Sequence, residues 1–475
     1  MPPSQDTLSS LVSDKAFHHE ENETTDLPPS SVTFTRHRRK LRVTNPPWYR
    51  NSLLASVGFL EFANAGDFAA NVWNDVPIPL YAKIFMAIGG PLALLISIAA
   101  LRDGILSWQN VRILQEERRY LFLLRLQHLN PPATTPVDQA SVRLIDRRLG
   151  VGYRELGSEV IDRIVMDLFL GIGALLVGTG TIMAIWGANS YIYFISNLLS
   201  GFVGNGFAAA YGVLNAVWSI YLIWRFRGHD RACMSSTALT PFRDRLHRRF
   251  QYFIWHAVVS AITGLVAGAA SMLTCRMWWG YVMLIPCMLL EVGCNQFWRV
   301  LLGYDRPIVS SQPHWGLIPD YTYREESKQC KESKEVEEEK DNVLLDTLAS
   351  VISMQKAFSP LPPTHILGDV DWSSLDSLLL FILNHHLFDS LCGWLASDSS
   401  VPKDLRHSLF RLDADYTEIT LTLADLRGLP DSDRPRLHDL CRNFLYTEGR
   451  QVMVGRERFL LEMVGYAAWK DGQLG

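Results

Sequence analysis

The sequence is poor in cysteine, and its seven cysteines show no pairing pattern. None of them forms a CxxC motif, and they lie singly between Cys233 and Cys441. A disulfide framework needs an even, regularly spaced set, and a structural zinc site usually needs closely paired ligands. We therefore predict reduced thiols, with no metal and no cofactor.

The motifs of common enzyme families are also missing. The chain contains no GxxxxGK[ST], GxSxG or HExxH motif, and no GxGxxG between a strand and a helix. A DxD pattern occurs three times in the acidic C-terminal part, which is more typical of helix caps than of metal binding: Asp369/Asp371, Asp413/Asp415 and Asp431/Asp433. We predict no catalytic residue.

Long apolar runs dominate the first two thirds of the chain. A helix needs about 20 apolar residues to cross ~30 Å of hydrocarbon. One run, Leu80–Leu101, contains Lys83 and Pro91, and packed membrane helices tolerate such a proline. The other four runs are long enough without interruption: Ile164–Ala188, Phe207–Trp224, Phe253–Leu273 and Trp279–Leu302. The sequence therefore predicts an integral membrane protein.

The basic residues decide whether the more polar stretch Asn51–Val72 is also a span. Arginine and lysine collect in cytoplasmic connections. "RHRRKLR" (36–42) precedes this stretch, ten arginines lie in 102–163 and seven in 225–249, whereas 73–79 and 189–193 have none. Basic and non-basic connections alternate only if Asn51–Val72 spans. We predict six spans with both termini cytosolic, in a plasma membrane or an endomembrane.

The predicted fold class is all-α, a six-span bundle with a cytosolic helical domain. The ranges are a disordered, basic-ended cytosolic N-terminus (1–50), a membrane domain (51–302) with cytosolic loops at 102–163 and 225–252, a charged linker (303–342) and a cytosolic domain (343–475). The stretch 191–224 is too long for one span, and Tyr191–Gly201 is open to a re-entrant or interfacial reading, with a break at Ser200–Gly206.

Polar side chains inside two predicted spans form the candidate site. On the first span four of them fall within about 140° of a helical wheel, and Glu291 and Asn295 are four residues apart on the last span. Asp67 and Lys83 are placed to pair across neighbouring spans. Intramembrane ionisable groups suggest an ion or ligand pathway, and the alternative is hydrogen bonding between helices. The candidate residues are Glu61, Asn64, Asp67, Asn71, Glu291 and Asn295.

Small residues form a stripe on the fifth predicted span. Gly264 and Gly268 make a GxxxG motif, which lets two helix backbones approach closely. The partner helix lies either in the same chain or in a second copy, so a homo-oligomer is one of the expectations.

The C-terminal part has soluble helical patterning. Helices are predicted from Asp371 or Ser373 to about Ala396, and at 402–411, 416–427, 434–448 and 456–469, with no strand. The polar residues Asn384, His385, His386 and Asp389 exclude a further span.

Three segments of this tail resemble the regulator of G-protein signalling (RGS) family. They are "SLLLFILNHHLFDSLCGWLASD" (377–398), "YTEITLTLADLRGL" (416–429) and "LCRNFLYTEGRQVMVGRERFLLEM" (440–463). Fungal multi-span membrane proteins carry such tails, and the resemblance implies a G-protein α-subunit as partner. Thr417 or Glu418, and a residue among Val452–Val454, stand where that family has contacting asparagines. The resemblance therefore implies docking without acceleration of GTP hydrolysis.

Three functions follow as expectations from the sequence. The first is signalling, regulation or scaffolding through the cytosolic domain. The second is a transporter or channel for an ion or small solute that uses the intramembrane carboxylates. The third is a membrane-embedded enzyme, for which no accompanying motif exists. The lipid bilayer is a predicted partner and nucleic acid is not.

Overall fold

The computed structural model describes residues 31–37, 40–45, 47–51, 62–63, 65–73, 77–130, 139–308, 335–358, 371–411 and 417–473. It is mostly helical, at 81%, which confirms the predicted class. Within the described ranges, four helices are long and apolar enough to cross a membrane: Leu80–Leu129, Ser190–Ser235, Thr240–Thr274 and Gly280–Leu302. The apolar helices agree with a membrane protein, and the six-span topology stays a prediction.

The arginine-rich connections are helical, which corrects the predicted loops. Helix α2 (Leu80–Leu129; α1 is the short Phe68–Val72) has 50 residues and is about 75 Å long. It therefore extends far beyond the hydrocarbon, and α3 (Gln139–Glu159) fills much of the rest of the 102–163 segment. The predicted loop 225–252 is likewise short, because α6 (Asn205–Ser235) and α7 (Arg243–Thr274) extend into it.

Two π-helical segments join helices that would otherwise be separate. Val160–Val165 connects α3 to α4 (Met166–Ala184). Asn197–Gly204 connects α5 (Ser190–Ser196) to α6. The predicted break near Ser200–Gly206 is therefore wrong, because the chain continues there as one helix of 46 residues.

The GxxxG stripe packs within the chain. A Cβ atom on Gly212 of α6 would lie 2.3 Å from the carbonyl oxygen of Gly264, and one on Gly268 would lie 2.8 Å from Cα of Ala209. The two backbones are thus in direct contact, as small-residue motifs allow. The partner helix of this stripe therefore lies in the same chain, and the two glycines are not available for contact with a second copy. Helix α8 (Gly280–Phe297) packs against α7 and continues as a π-helical segment, Trp298–Leu302.

A three-stranded sheet joins the two ends of the described chain. Strands β1 (Ser31–His37) and β2 (Lys40–Asn45) form a hairpin, and β1 also pairs antiparallel with β5 (Glu418–Thr422). Two predictions are wrong here. Residues 31–45 are not disordered, and 416–427 is not one helix but β5 followed by α13 (Leu423–Arg427). A two-residue pair, β3 (Trp48–Tyr49) with β4 (Arg306–Pro307), lies nearby.

The tail helices differ from prediction at their breaks. The predicted helix ending near Ala396 is two helices, α10 (Leu375–Asn384) and α11 (Phe388–Ser397), bent by 115°. His386 between them has φ 51°, a conformation that ends a helix. The predicted gap between the helices at 434–448 and 456–469 is absent, because a π-helical segment that ends at Gly449 joins them. The remaining helices are α9 (Glu335–Ala357), α12 (Lys403–Phe410), α14 (Arg434–Phe444) and α15 (Arg450–Gln473).

The tail packs on the polar ends of the apolar helices. Phe459 and Leu460 of α15 belong to the same core cluster as Phe226 of α6 and Phe250 of α7. The predicted linker 303–342 is partly structured in the same region, because Arg306 is buried and α9 begins at Glu335, while 309–334 lies outside the described residues.

Pairing of β1 with β5 requires that the N-terminal strand and the tail share one side of the membrane. The chain has one glycosylation sequon, Asn22-Glu23-Thr24, just before β1. We expect no mass shift when the intact chain is produced with the glycosylation machinery, because a cytosolic sequon is not modified. A shift that Asn22→Gln removes would place both ends outside and contradict the predicted orientation.

Candidate functional site

Asp67 lies in a hydrogen-bonded cluster at the predicted outer end of the bundle. Its Oδ1 accepts from the Tyr281 hydroxyl at 2.7 Å, and its Oδ2 accepts from Nδ2 of Asn71 at 2.8 Å. Nδ2 of Asn205 lies 3.5 Å from the same Oδ2 and 3.3 Å from Oγ1 of Thr274. We call these five residues the outer cluster. It joins four helical segments and satisfies the Asp67 carboxylate with neutral donors.

The predicted Asp67–Lys83 pair is not formed. The Asp67 carboxylate is fully buried among the amide and hydroxyl donors of the outer cluster, whereas Lys83 is exposed. Neutral donors satisfy a buried carboxylate without the cost of burying an ammonium group.

Glu291 and Asn295 line a small cavity nearer the middle of the bundle. The cavity has a volume of about 50 Å³, enough for a few water molecules. Glu291 also accepts a hydrogen bond from Thr263 of α7. We call this space the inner cavity. Its other polar lining residues come from α3 and the π-helical segment after it, from α6 and α7, and from the start of the first predicted span: Ser158, Glu159, Asp162, Arg163, Asn215, Ser219, His256, Ser260 and Asn51.

The structure separates the single site predicted from the sequence. Tyr281 of the outer cluster and Glu291 of the inner cavity are ten residues apart on α8, or about 15 Å along its axis. Asp67 and Asn71 therefore belong to one place, and Glu291 and Asn295 to another. Glu61 and Asn64 lie outside the described residues.

Arg163 connects the inner cavity to helix α2. Its Nη1 donates to Oε1 of Glu159 at 2.7 Å, and its Nη2 donates to Oδ1 of Asp103 at 2.9 Å. Glu159 also accepts from Nδ2 of Asn110 at 2.9 Å and from the Tyr49 hydroxyl at 3.4 Å. Arg163, the one guanidinium that the described residues place on the cavity wall, is thus already bonded to two carboxylates.

A larger set of buried ion pairs lies toward the end of the bundle that the basic residues predict to be cytosolic. We call it the ionic network: Glu117, Arg148, Arg154, Glu155, Tyr304, Arg306 and Glu462. Arg306 is 1% exposed and lies between two carboxylates. Its Nη2 is 2.6 Å from Oε2 of Glu117, and its Nε donates to Oε1 of Glu155 at 3.0 Å. Nη2 of Arg148 adds a second bond to Glu117 at 2.8 Å.

The network also attaches the last helix to the bundle. Arg154 of α3 donates from Nε and Nη2 to Oε1 and Oε2 of Glu462 on α15, at 2.7 and 2.6 Å. Burial by itself lowers the pKa of Arg154, but the charge and hydrogen bonds of Glu462 outweigh it and raise that pKa well above its usual range. Tyr304 donates to Glu155 at 2.9 Å, and burial followed by the carboxylate charges raises its pKa, so the phenol keeps its proton.

The ionic network was missed from the sequence, although a signal for it exists. Asp103, Asn110 and Glu117 lie seven residues apart on α2, and Arg148 and Glu155 have the same spacing on α3. Residues seven apart share one helix face. A polar stripe of this kind on two helices that follow one another indicates helices that face each other through charges, rather than exposed loops.

Among the described residues there is no group of three or more His, Cys, Asp or Glu side chains that could hold a metal ion. The six cysteines in the described ranges are free, as predicted. The carbonyl oxygens of His385 and His386 accept hydrogen bonds from Arg456.

Comparison of the chain with family models, curated proteins and solved structures finds no match.

Proposed function

We propose that this chain is a multi-pass membrane protein that conducts or transports a small cation through the inner cavity. The observation that carries the proposal is the composition of the cavity wall: among the described residues, the three carboxyl groups of Glu159, Asp162 and Glu291 line it together with a single guanidinium, that of Arg163. Ionisable groups at membrane depth commonly mark ion pathways. This function is the second of the three expected from the sequence, a transporter or channel.

The charge balance favours a cation over an anion. Arg163 is bonded to Glu159 and to Asp103, so it does not neutralise Asp162 or Glu291. Asp162 accepts from Nε1 of Trp218 at 3.3 Å, which is a neutral donor. Isolated carboxylates in a medium of low dielectric constant are costly unless a proton or another cation joins them. The cavity therefore gains most by taking up positive charge.

The size of the cavity favours an ion over an organic solute. Pockets for drug-sized ligands are commonly 300–1,000 Å³, whereas this cavity holds about 50 Å³. Oxygen atoms of Glu291, Asn215 and Ser260 come from three different helices, and Nδ2 of Asn215 already donates to Oγ of Ser260 at 3.1 Å. Such oxygen ligands suit protons and alkali cations rather than soft metals.

Signalling through the tail is the second candidate. The observation that favours it is the attachment of α15 to α3 through Arg154 and Glu462, which links the tail mechanically to helices that line the cavity. The resemblance to RGS domains, with a G-protein α-subunit as partner, stays a prediction of this candidate.

Ion flux from liposomes that contain the purified full-length protein tests the proposal. We expect flux of H⁺, Na⁺ or K⁺ above that of empty liposomes, and loss of most of it in Glu291→Gln, which keeps the side-chain shape and removes the charge. Gly293→Ala is the matched control on the same helix, because a Cβ there meets nothing within 4 Å.

Two results would count against cation transport. One is a wild-type protein that moves none of the three ions. The other is a well-folded Glu291→Gln variant with the flux of Gly293→Ala. Either result would leave signalling as the better reading.

A further inference from the structure

A pair of buried carboxyl groups lies next to the inner cavity but outside its lining. Asp103 of α2 and Asp167 of α4 are 2% and 5% exposed. A Cβ atom built on Gly104, the residue after Asp103 in α2, would lie 3.7 Å from Oδ2 of Asp167, so the two carboxyl groups lie close to each other at the contact between the helices. As two carboxylates they have no donor between them, and both oxygens of Asp167 and Oδ2 of Asp103 have no other partner among the described residues. We call them the acid pair.

The close packing of α2 on α4 holds the acid pair together. A Cβ atom on Gly178 would lie 2.8 Å from the carbonyl oxygen of Gly90, and one on Gly171 would lie 3.1 Å from Cβ of Ala100. At the end of this small-residue interface, a Cβ on Gly104 would lie 3.6 Å from Cβ of Asp167. The two carboxyl groups cannot move far apart unless the helices separate.

The charges around the acid pair do not balance. Arg163 is the cation at hand, and it donates to Asp103 and Glu159 rather than to Asp167. From the chain before the first predicted span, Tyr49 faces Glu159 as a hydroxyl donor. From α6, Tyr211 packs in the apolar cluster beside the pair. The single guanidinium of Arg163 therefore faces the carboxyl groups of Asp103, Glu159 and Asp167. Two carboxyl groups in contact do not both ionise readily, because their negative charges repel each other.

We infer that the acid pair binds one proton, held as an O–H donated by one carboxyl group to an oxygen of the other. The proton supplies the missing donor and removes one negative charge. This inference deepens the proposed function, and rests on it, by naming the ion as a proton. Arg163 and Glu159 line the inner cavity, and Arg163 is also bonded to Asp103 of the acid pair. The Arg163–Glu159 ion pair therefore lies between the acid pair and the cavity.

A metal cation fits the acid pair poorly. Arg163 already occupies one side of Asp103, and neither aspartate lines the cavity where a hydrated ion would have room. Ca²⁺ and Mg²⁺ need six or more oxygen ligands, and the pair offers few beyond its own carboxyl groups. A proton needs only the two oxygen atoms that it joins.

Infrared spectroscopy of the full-length protein in lipid tests this site directly. We expect a protonated-carboxyl C=O band at neutral pH that shifts in D₂O and is lost in Asp167→Asn, where the amide replaces the proton as donor. Asp103→Asn gives a second route to the same loss if the first variant folds poorly. Ser107→Ala is the control, a buried hydroxyl one turn along α2 from Asp103, and it should keep the band.

The spectra and the flux measurement separate the two proposals. Spectra of the wild type and of both aspartate variants that show the same carboxyl bands would overturn the acid pair. A band that depends on Asp167, in a protein that moves no ion, would support the acid pair and overturn cation transport. Proton flux that is lost in Asp167→Asn but kept in Ser107→Ala would support both.

Discussion

Replacement of Arg306 by leucine is expected to lower the free energy of unfolding by about 3–5 kcal/mol, the usual cost of breaking a buried ion pair. In the ionic network Arg306 bonds to both Glu117 and Glu155, and all three side chains are almost fully buried. Without Arg306, Glu155 keeps the Tyr304 hydroxyl and Glu117 keeps Arg148, but each carboxylate loses the guanidinium that joins the two. Leucine fills part of the space without supplying a donor.

Unfolding of the full-length protein in detergent or mixed micelles, followed by tryptophan fluorescence, measures this loss. The control is Arg427→Leu, which removes an exposed ion pair with Asp376 in which the two side chains are 44% and 63% exposed. Such surface pairs contribute about 0–1 kcal/mol. Equal stability of the two variants would show that the ionic network does not stabilise the fold.

Replacement of Gly212 by alanine is expected to destabilise the bundle by about 3 kcal/mol, at the upper end of the usual cost of overpacking. The added Cβ would lie 2.3 Å from the carbonyl oxygen of Gly264. Backbone cannot rotate away as a side chain can, so α6 and α7 would have to move apart. This helix pair has the most extensive contact in the fold, and the shift would spread along it.

Gly206→Ala is the matched control on the same helix, since a Cβ there meets nothing within 4 Å. Alanine has a higher helix propensity than glycine, so this variant should be as stable as the wild type or slightly more so. The thermal midpoint and the monodisperse fraction in detergent compare the two. A Gly212→Ala protein as stable as Gly206→Ala would contradict the close backbone contact.

The apolar helices could be predicted because their signal is local. Runs such as Leu80–Leu101 and Phe253–Leu273 can be recognised as membrane helices from their own composition and length. The GxxxG motif at Gly264 and Gly268 likewise indicates that two helix backbones approach each other closely. The ends of these helices could not be predicted as well. The arginines of 102–163 suggest an exposed loop when they are counted singly. The structure instead buries Arg148, Arg154 and Arg163 against carboxylates of other helices, a pairing that the local sequence does not reveal.

Strand β5 shows why non-local pairing escaped the sequence. Its side chains alternate, with Ile419 and Leu421 buried and Glu418 and Thr420 exposed. That period of two is the signature of a half-buried strand, but it covers only five residues and is followed directly by a capped helix. Its partner, β1, is a distant part of the chain, so no neighbouring run indicated a sheet.

The candidate site was predicted in part. The polar residues of α8 do face a polar space, and Asp67 and Asn71 do face protein. Their assignment to one site failed because a helical wheel gives the direction of a side chain but not its depth. The acid pair was missed because Asp103 and Asp167 lie on helices that are far apart in sequence, and only the packing of α2 on α4 brings them together.

The pairing of β1 with β5 also sets an order of events during synthesis. Thr33 and Thr420, whose side chains meet across the sheet, are separated by 387 residues. At roughly 5–20 residues per second, the first hairpin leaves the ribosome roughly 20–80 s before its partner strand exists. During that interval one edge of β1 is unpaired, and such edges invite pairing with other chains. The short hairpin is rich in basic residues around Arg36 and Arg42. Charged side chains on an unpaired edge strand oppose its pairing with other chains.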